Sequence, residues 1–147
     1  MIAACLLCTP AASALAAKAT AAKHADDAEI TFIGYRGVAG GGGVLFVELS
    51  RSVSLDVSRA GPVIEYKLLG ATVPLKNNRN PLLLRDFGSS ALTAVLVPSG
   101  RGKTRAHRAE PKSVRLLVTM RGNVAPTYKM LDRGKGAALE ISLPPAQ

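Results

Sequence analysis

The chain contains a cruder copy of its own central stretch. Val44 to Val57 (VLFVELSRSVSLDV) is echoed by Leu116 to Tyr128 (LLVTMRGNVAPTY). No gap is needed to align them: Val47 falls on Val118, Leu49 on Met120, Val53 on Val124 and Val57 on Tyr128. In each copy an apolar, β-branched run meets a short polar break, Ser50-Arg51-Ser52 or Arg121-Gly122-Asn123, and then resumes. Such a pattern reads as strand, turn, strand. An earlier apolar run precedes each copy, Ile30–Tyr35 or Ala94–Val97, across a Gly-rich or an Arg-rich loop. A turn and a further run follow each, Val63–Leu69 or Ala137–Leu143. A duplicated three-stranded unit is the simplest description, and it makes the chain all-β.

Alternation assigns faces to the strands, because successive side chains on a strand point to opposite sides. Val53, Leu55 and Val57 are expected to face a core, with Ser54 and Asp56 in water. Ile64, Tyr66 and Leu68 share one face, and Val63, Glu65 and Lys67 the other. In the first strand Ile30, Phe32 and Gly34 fall on one side, with Thr31, Ile33 and Tyr35 opposite. The glycines of Gly37–Gly43 read as a flexible hairpin loop. A phosphate cradle would need them to run into a helix N-terminus, and a β-branched strand follows instead. Between the halves, Asn77-Asn78-Arg79-Asn80-Pro81 is a concentrated turn signal. Leu82, Leu83, Leu84 and Phe87 beyond it form a short helix or a strand that closes the side of the core. A connector so apolar is no free linker, so both halves share one interior. Pro144-Pro145 ends the last strand, since proline cannot continue a ladder.

The N-terminus has a different composition. Residues 1–17 carry no charge and end in small residues, with Ala14-Leu15-Ala16 in the A-x-A form of a cleavage site. They read as a signal-peptide-like segment, too short and too Ala-rich for a membrane span. Both cysteines, Cys5 and Cys8, lie inside it, so the mature chain has no disulfide, thiolate metal site or cysteine nucleophile. Ile2-Ala3-Ala4-Cys5 also has the look of a lipobox, which makes lipidation at Cys5 the minor alternative. Residues 18–28 follow as a polar linker, residues 29–144 as the folded domain and residues 145–147 as a tail. The expected location is periplasmic or cell-envelope, with no transmembrane segment in the mature chain.

Chemistry is sparse. The two histidines, His24 and His107, fall in the linker and in a loop, without partners at ligand spacing. Asp56, Glu65, Asp132 and Glu140 read as outward or turn positions, and Asp86 lies in the connector. Gly102-Lys103-Thr104 echoes a phosphate loop, but that motif wants a glycine where Val97 stands. The expectation is a non-enzyme with no catalytic residues, cofactor or metal.

Charge is the remaining tool. Nineteen Lys and Arg against ten Asp and Glu give a net charge of +9, so polyanionic surfaces are the expected partners. The densest stretch, Pro98 to Glu110, holds Arg101, Lys103, Arg105 and Arg108. With Arg79 and Arg85 of the connector, these are the candidate ligand-binding residues. Arginine holds carboxylates through paired, charge-assisted hydrogen bonds. Nucleic acid is not an expected partner, because the basic loop lacks interleaved aromatics on which bases stack.

Taken together, these segments resemble the AMIN domain, the periplasmic N-terminal targeting module of cell-wall amidases and pilus secretins. The likeness spans Glu29 to Leu143. It is carried by Val44–Ser50, the Asn77–Leu82 connector, Val114–Met120 and the closing Leu139–Leu143. The resemblance implies a compact β-sandwich of two short antiparallel sheets with internal pseudo-symmetry. It also implies a non-catalytic, exported envelope module that binds peptidoglycan or another anionic wall polymer. The alternative is an envelope assembly or structural protein that docks a partner protein through a sheet edge.

Overall fold

The computed structural model describes residues 27–99 and 112–146. Ten strands follow in order: β1 (Ala28–Gly37), β2 (Gly43–Leu49), β3 (Ser54–Ala60), β4 (Val63–Leu69), β5 (Ala71–Thr72), β6 (Leu82–Leu83), β7 (Ala91–Pro98), β8 (Ser113–Met120), β9 (Thr127–Asp132) and β10 (Ala137–Leu143). Short 3₁₀ turns at Lys76–Arg79 and Arg85–Phe87 flank β6. Two five-stranded sheets result, ordered β5-β1-β2-β10-β9 and β3-β4-β8-β7-β6. All pairings are antiparallel except the short β1–β5 contact. The chain is an all-β sandwich.

The duplication is visible in the register. Val57 pairs with Tyr66 in one half and Tyr128 with Ile141 in the other. Val47 opposes Leu139 as Val118 opposes Ile64, and Leu45 opposes Ile141 as Leu116 opposes Tyr66. The matched unit has four strands, not the three expected, because the strands on either side of the polar break are joined by one strand before and one after. Strands β1 to β4 correspond to β7 to β10. Each unit divides between the sheets: β1 and β2 pair with β10 and β9, while β7 and β8 pair with β4 and β3.

The core lies between the sheets. The central strands β2 and β8 alternate cleanly, with Leu45, Val47, Leu116 and Val118 wholly buried. Tyr66 and Leu68 of β4, Leu96 of β7 and Leu139 and Ile141 of β10 complete the interior. Full burial of a side chain of this size stabilises by about 1.5–3 kcal/mol. The shared interior expected of the two halves is present as one contiguous cluster.

Three local expectations need correction. In β1, Ile30 pairs with Leu49 and Phe32 with Glu48, so the ladder slips by one residue between them. This bulge puts Ile30 and Ile33 inside and turns Phe32 outward, where it is 48% exposed. The same slip recurs between Ala91 and Thr93 of β7. In β3 the sequence alternation does not become alternating burial, because among the described residues the strand is the edge of its sheet. Leu55 is only half-buried and Val57 is 38% exposed. The glycine loop, third, is fastened rather than free. The Tyr35 hydroxyl donates to the Gly42 carbonyl at 2.6 Å, and the Gly42 amide donates to Gly88 at 3.1 Å.

The connector builds a side wall. Leu84 is buried, while Leu83 and Phe87 stay exposed. Asn78 enters the interior and donates from Nδ2 to the Thr31 carbonyl at 3.1 Å. The folded body runs past residue 144, since Pro145 bridges Ser89 and the Ala146 amide donates to Gly88 at 2.9 Å.

Candidate functional site

Strands β7 and β8 form a hairpin whose connection holds the basic stretch. The neck of that hairpin is tied by hydroxyls. The Ser99 Oγ donates to the Ser113 carbonyl at 2.6 Å and lies 2.8 Å from the Ser113 hydroxyl. Lys112, one residue along, pairs with Asp27, and its carbonyl accepts from the Gly70 amide at 2.7 Å. The stem is therefore anchored to the start of β1 and to the end of β4. Arg101, Lys103, Arg105 and Arg108 themselves lie outside the described residues, as do His107, the linker histidine, Cys5 and the signal-like segment.

The other two candidates are described, and they separate. Arg79 donates from Nη2 to the Val73 carbonyl at 2.7 Å, a bond that ties its 3₁₀ turn back to the residue after β5. It acts as a brace of the connector. Arg85 is exposed at the second 3₁₀ turn, its Nε 3.8 Å from the Asp86 carboxylate. Its carbonyl accepts a hydrogen bond from Arg121 at 3.0 Å. No described contact joins Arg79 to Arg85.

A second place was not singled out from the sequence. Between the outer edges of β3 and β9 lies a shallow groove of about 170 Å³. Its walls are Val57 and Ile64 from one half and Ala125 and Pro126 from the other, with Tyr66 and Tyr128 meeting edge to face at 5.5 Å. Arg59 completes it. Its guanidinium is fixed by main-chain carbonyls: Nε on Gly61 at 3.0 Å, Nη1 on Val124 at 2.8 Å and Nη2 on Gly122 at 3.2 Å. Burial pushes the Tyr66 phenol up to about 12, with Tyr128 adding to the rise and Arg59 opposing it. The register sets Tyr66 where the other half has Ile141, a correspondence that the sequence repeat alone does not give.

The six aromatic residues are sorted into three pairs: Phe32 with Phe46, Tyr35 with Phe87, and Tyr66 with Tyr128. Phe32 and Phe46 cover Gly34, where a Cβ would stand 2.6 Å from the first ring and 2.8 Å from the second. Among the described residues, no group of three or more His, Cys, Asp or Glu is placed to hold a metal ion. No helix among them is long and apolar enough to cross a membrane.

Fold and site together define a duplicated, two-sheet, mostly antiparallel sandwich whose β7–β8 stem is tied to the start of β1 and the end of β4. Compared with protein-family models, curated proteins and solved structures, the chain matches none.

Proposed function

We propose that this chain is a non-catalytic, exported cell-envelope module that binds peptidoglycan and so stays at the bacterial wall. The observation that carries the reading is the basic hairpin. Its four cationic side chains, Arg101, Lys103, Arg105 and Arg108, interrupt a stem that is bolted to the sandwich on both sides. Peptidoglycan presents repeated stem-peptide carboxylates that such a stretch can hold. One exposed ion pair contributes only ~0–1 kcal/mol, so retention requires several contacts acting together along a polymer. The resemblance to the AMIN domain supports the reading through its pseudo-symmetric sandwich.

The test is co-sedimentation of residues 18–147 with purified sacculi at rising salt. Pelleting at low ionic strength that fades toward 1 M salt is expected, because exposed pairs are screened there. A chain that stays in the supernatant at every salt concentration removes the proposal.

One observation favours the strand-addition alternative. Strand β3 is a seven-residue sheet edge without proline, exposed along nearly its whole length. An edge of that kind presents unpaired main-chain groups to an incoming strand. Under this reading a partner envelope protein, not sacculi, carries the chain down.

A further inference from the structure

We propose that the two turns bearing Val38 and Phe87 form a docking surface for an anionic lipid bilayer. The proposal is independent of the wall-binding reading. The cations of that reading lie beyond Ser99 and Lys112, at the other ends of β7 and β8 from Phe87 and Arg121.

Phe87 is 58% exposed, more than any other large apolar side chain among the described residues, and Val38 is 54% exposed. The structure fastens their two turns together. The Gly42 amide donates to the Gly88 carbonyl at 3.1 Å, and the Tyr35 ring lies 5.5 Å from the Phe87 ring. Pro145 backs the contact, standing 3.0 Å from where a Cβ at Gly41 would be. Single apolar residues scattered over a surface are ordinary. Two on turns held against one another form a patch, and exposed patches mark sites of interaction.

Cations border the patch. Arg36 precedes Val38 by two residues, Arg85 precedes Phe87 by two, and all of these side chains are exposed. Arg121, also exposed, reaches the same turn and donates to the Arg85 carbonyl at 3.0 Å. Across residues 35–43, 85–91 and 120–123 the sole acid is Asp86, 3.8 Å from Arg85 Nε.

This combination names the occupant. Apolar entry helped by attraction to anionic headgroups is the chemistry of interfacial binding. Each arginine near such a surface adds about fivefold to partition. A partner protein fits less well, because the apolar groups stand on turns and offer little area. One aromatic side chain buries about 150–250 Å², against roughly 800 Å² per partner in a stable protein interface. Since the turns are already fastened, little ordering remains to be done on contact. The eight residues of β7 and of β8 place the basic hairpin stem about 25 Å away, so the two surfaces can act at once.

The chain has no tryptophan, so a single one reports its own surroundings. Val38→Trp, Phe87→Trp and, on edge strand β9, Tyr128→Trp are made in residues 18–147, which contain the whole described body, with melting curves as the check on folding. Each is mixed with vesicles of phosphatidylglycerol and phosphatidylcholine, or of phosphatidylcholine alone. On the anionic vesicles, emission from positions 38 and 87 should shift to the blue and be quenched by brominated acyl chains. Emission from position 128 should do neither. In the Val38→Trp background, Arg36→Gln and Arg85→Gln should each weaken vesicle binding about fivefold. Arg51→Gln with Lys135→Gln removes as much charge beyond the far ends of β2 and β10, and should weaken it less than about twofold, since charges more than a Debye length from the surface are screened. If the Phe87 variant melts early, Val38→Trp decides alone. No blue shift at position 38, equal quenching at position 128, equal binding to phosphatidylcholine alone, or equal losses from the two charge pairs overturns the surface. A blue shift with soluble peptidoglycan fragments and none with vesicles overturns it too. Pelleting with sacculi bears on the wall reading alone.

Discussion

Tyr66 and Ile141 stand at equivalent points of the two halves, and only one of them can ionise. The Tyr66 phenol is raised from 10.0 to about 12, first by burial and then by Tyr128. A raised pKa means that folding favours the protonated form, so its contribution is complete below pH 10 and is lost as pH climbs toward 12. Urea midpoints measured from pH 8 to 12 should fall over that upper window, and Tyr66→Phe should flatten this part of the fall. Gly42 makes a different kind of residue-level demand. Its φ is +77°, and a Cβ there would sit 2.5 Å from the Leu143 carbonyl and 2.8 Å from the Pro144 carbonyl carbon. Gly42→Ala therefore combines left-handed strain with a main-chain collision. A loss of about 2 kcal/mol or more is expected by urea denaturation, whereas Gly40→Ala, with nothing near its Cβ, should lose about half as much.

At the scale of the strand, position in the sheet governs cost. Leu116 of central β8 is wholly buried, so Leu116→Ala should destabilise by about 2–5 kcal/mol. Val57 of edge strand β3 is 38% exposed, and Val57→Ala should cost less than about 1 kcal/mol. Chemical denaturation of the two variants side by side checks the contrast. It also marks where sequence reading succeeded and where it stopped. Alternation in Ile64, Tyr66 and Leu68 was legible because β4 has partners on both sides, so period two maps directly onto burial. For Val53, Leu55 and Val57 the period was equally clear but the edge was not, since pairing order is a long-range property. The bulge at Thr31 was hidden for a related reason. An extra residue changes the phase of a strand without altering its composition, and it shows only when the partner strand is known. Arg79 and Arg85 looked alike in sequence, and their neighbours differ: a carbonyl claims one, while the other stays in water. The groove was illegible because Arg59, Tyr66 and Tyr128 meet only after β3 and β9 are folded to opposite sheets.

For the molecule as a whole, the exchange of strands between sheets sets the unit of folding. Residues 27–69 supply β1 and β2 to one sheet and β3 and β4 to the other, and the second half completes both. Neither half closes an interior alone. Expressed separately, residues 27–81 and 82–146 should each lack a cooperative melting transition by circular dichroism. Mixed in equal amounts, they should recover one.

The same symmetry gives the molecule two equivalent hairpins, β1–β2 and β7–β8. The first is short and secured by Gly42 against the C-terminal prolines. The second is closed by its serine pair before the chain leaves it, and lengthening a closed loop costs little, roughly 0.6 kcal/mol per doubling. The two copies are therefore held differently, one pinned across its loop and the other at its neck, so residues inserted between Ser99 and Ser113 should leave the strands beneath them undisturbed.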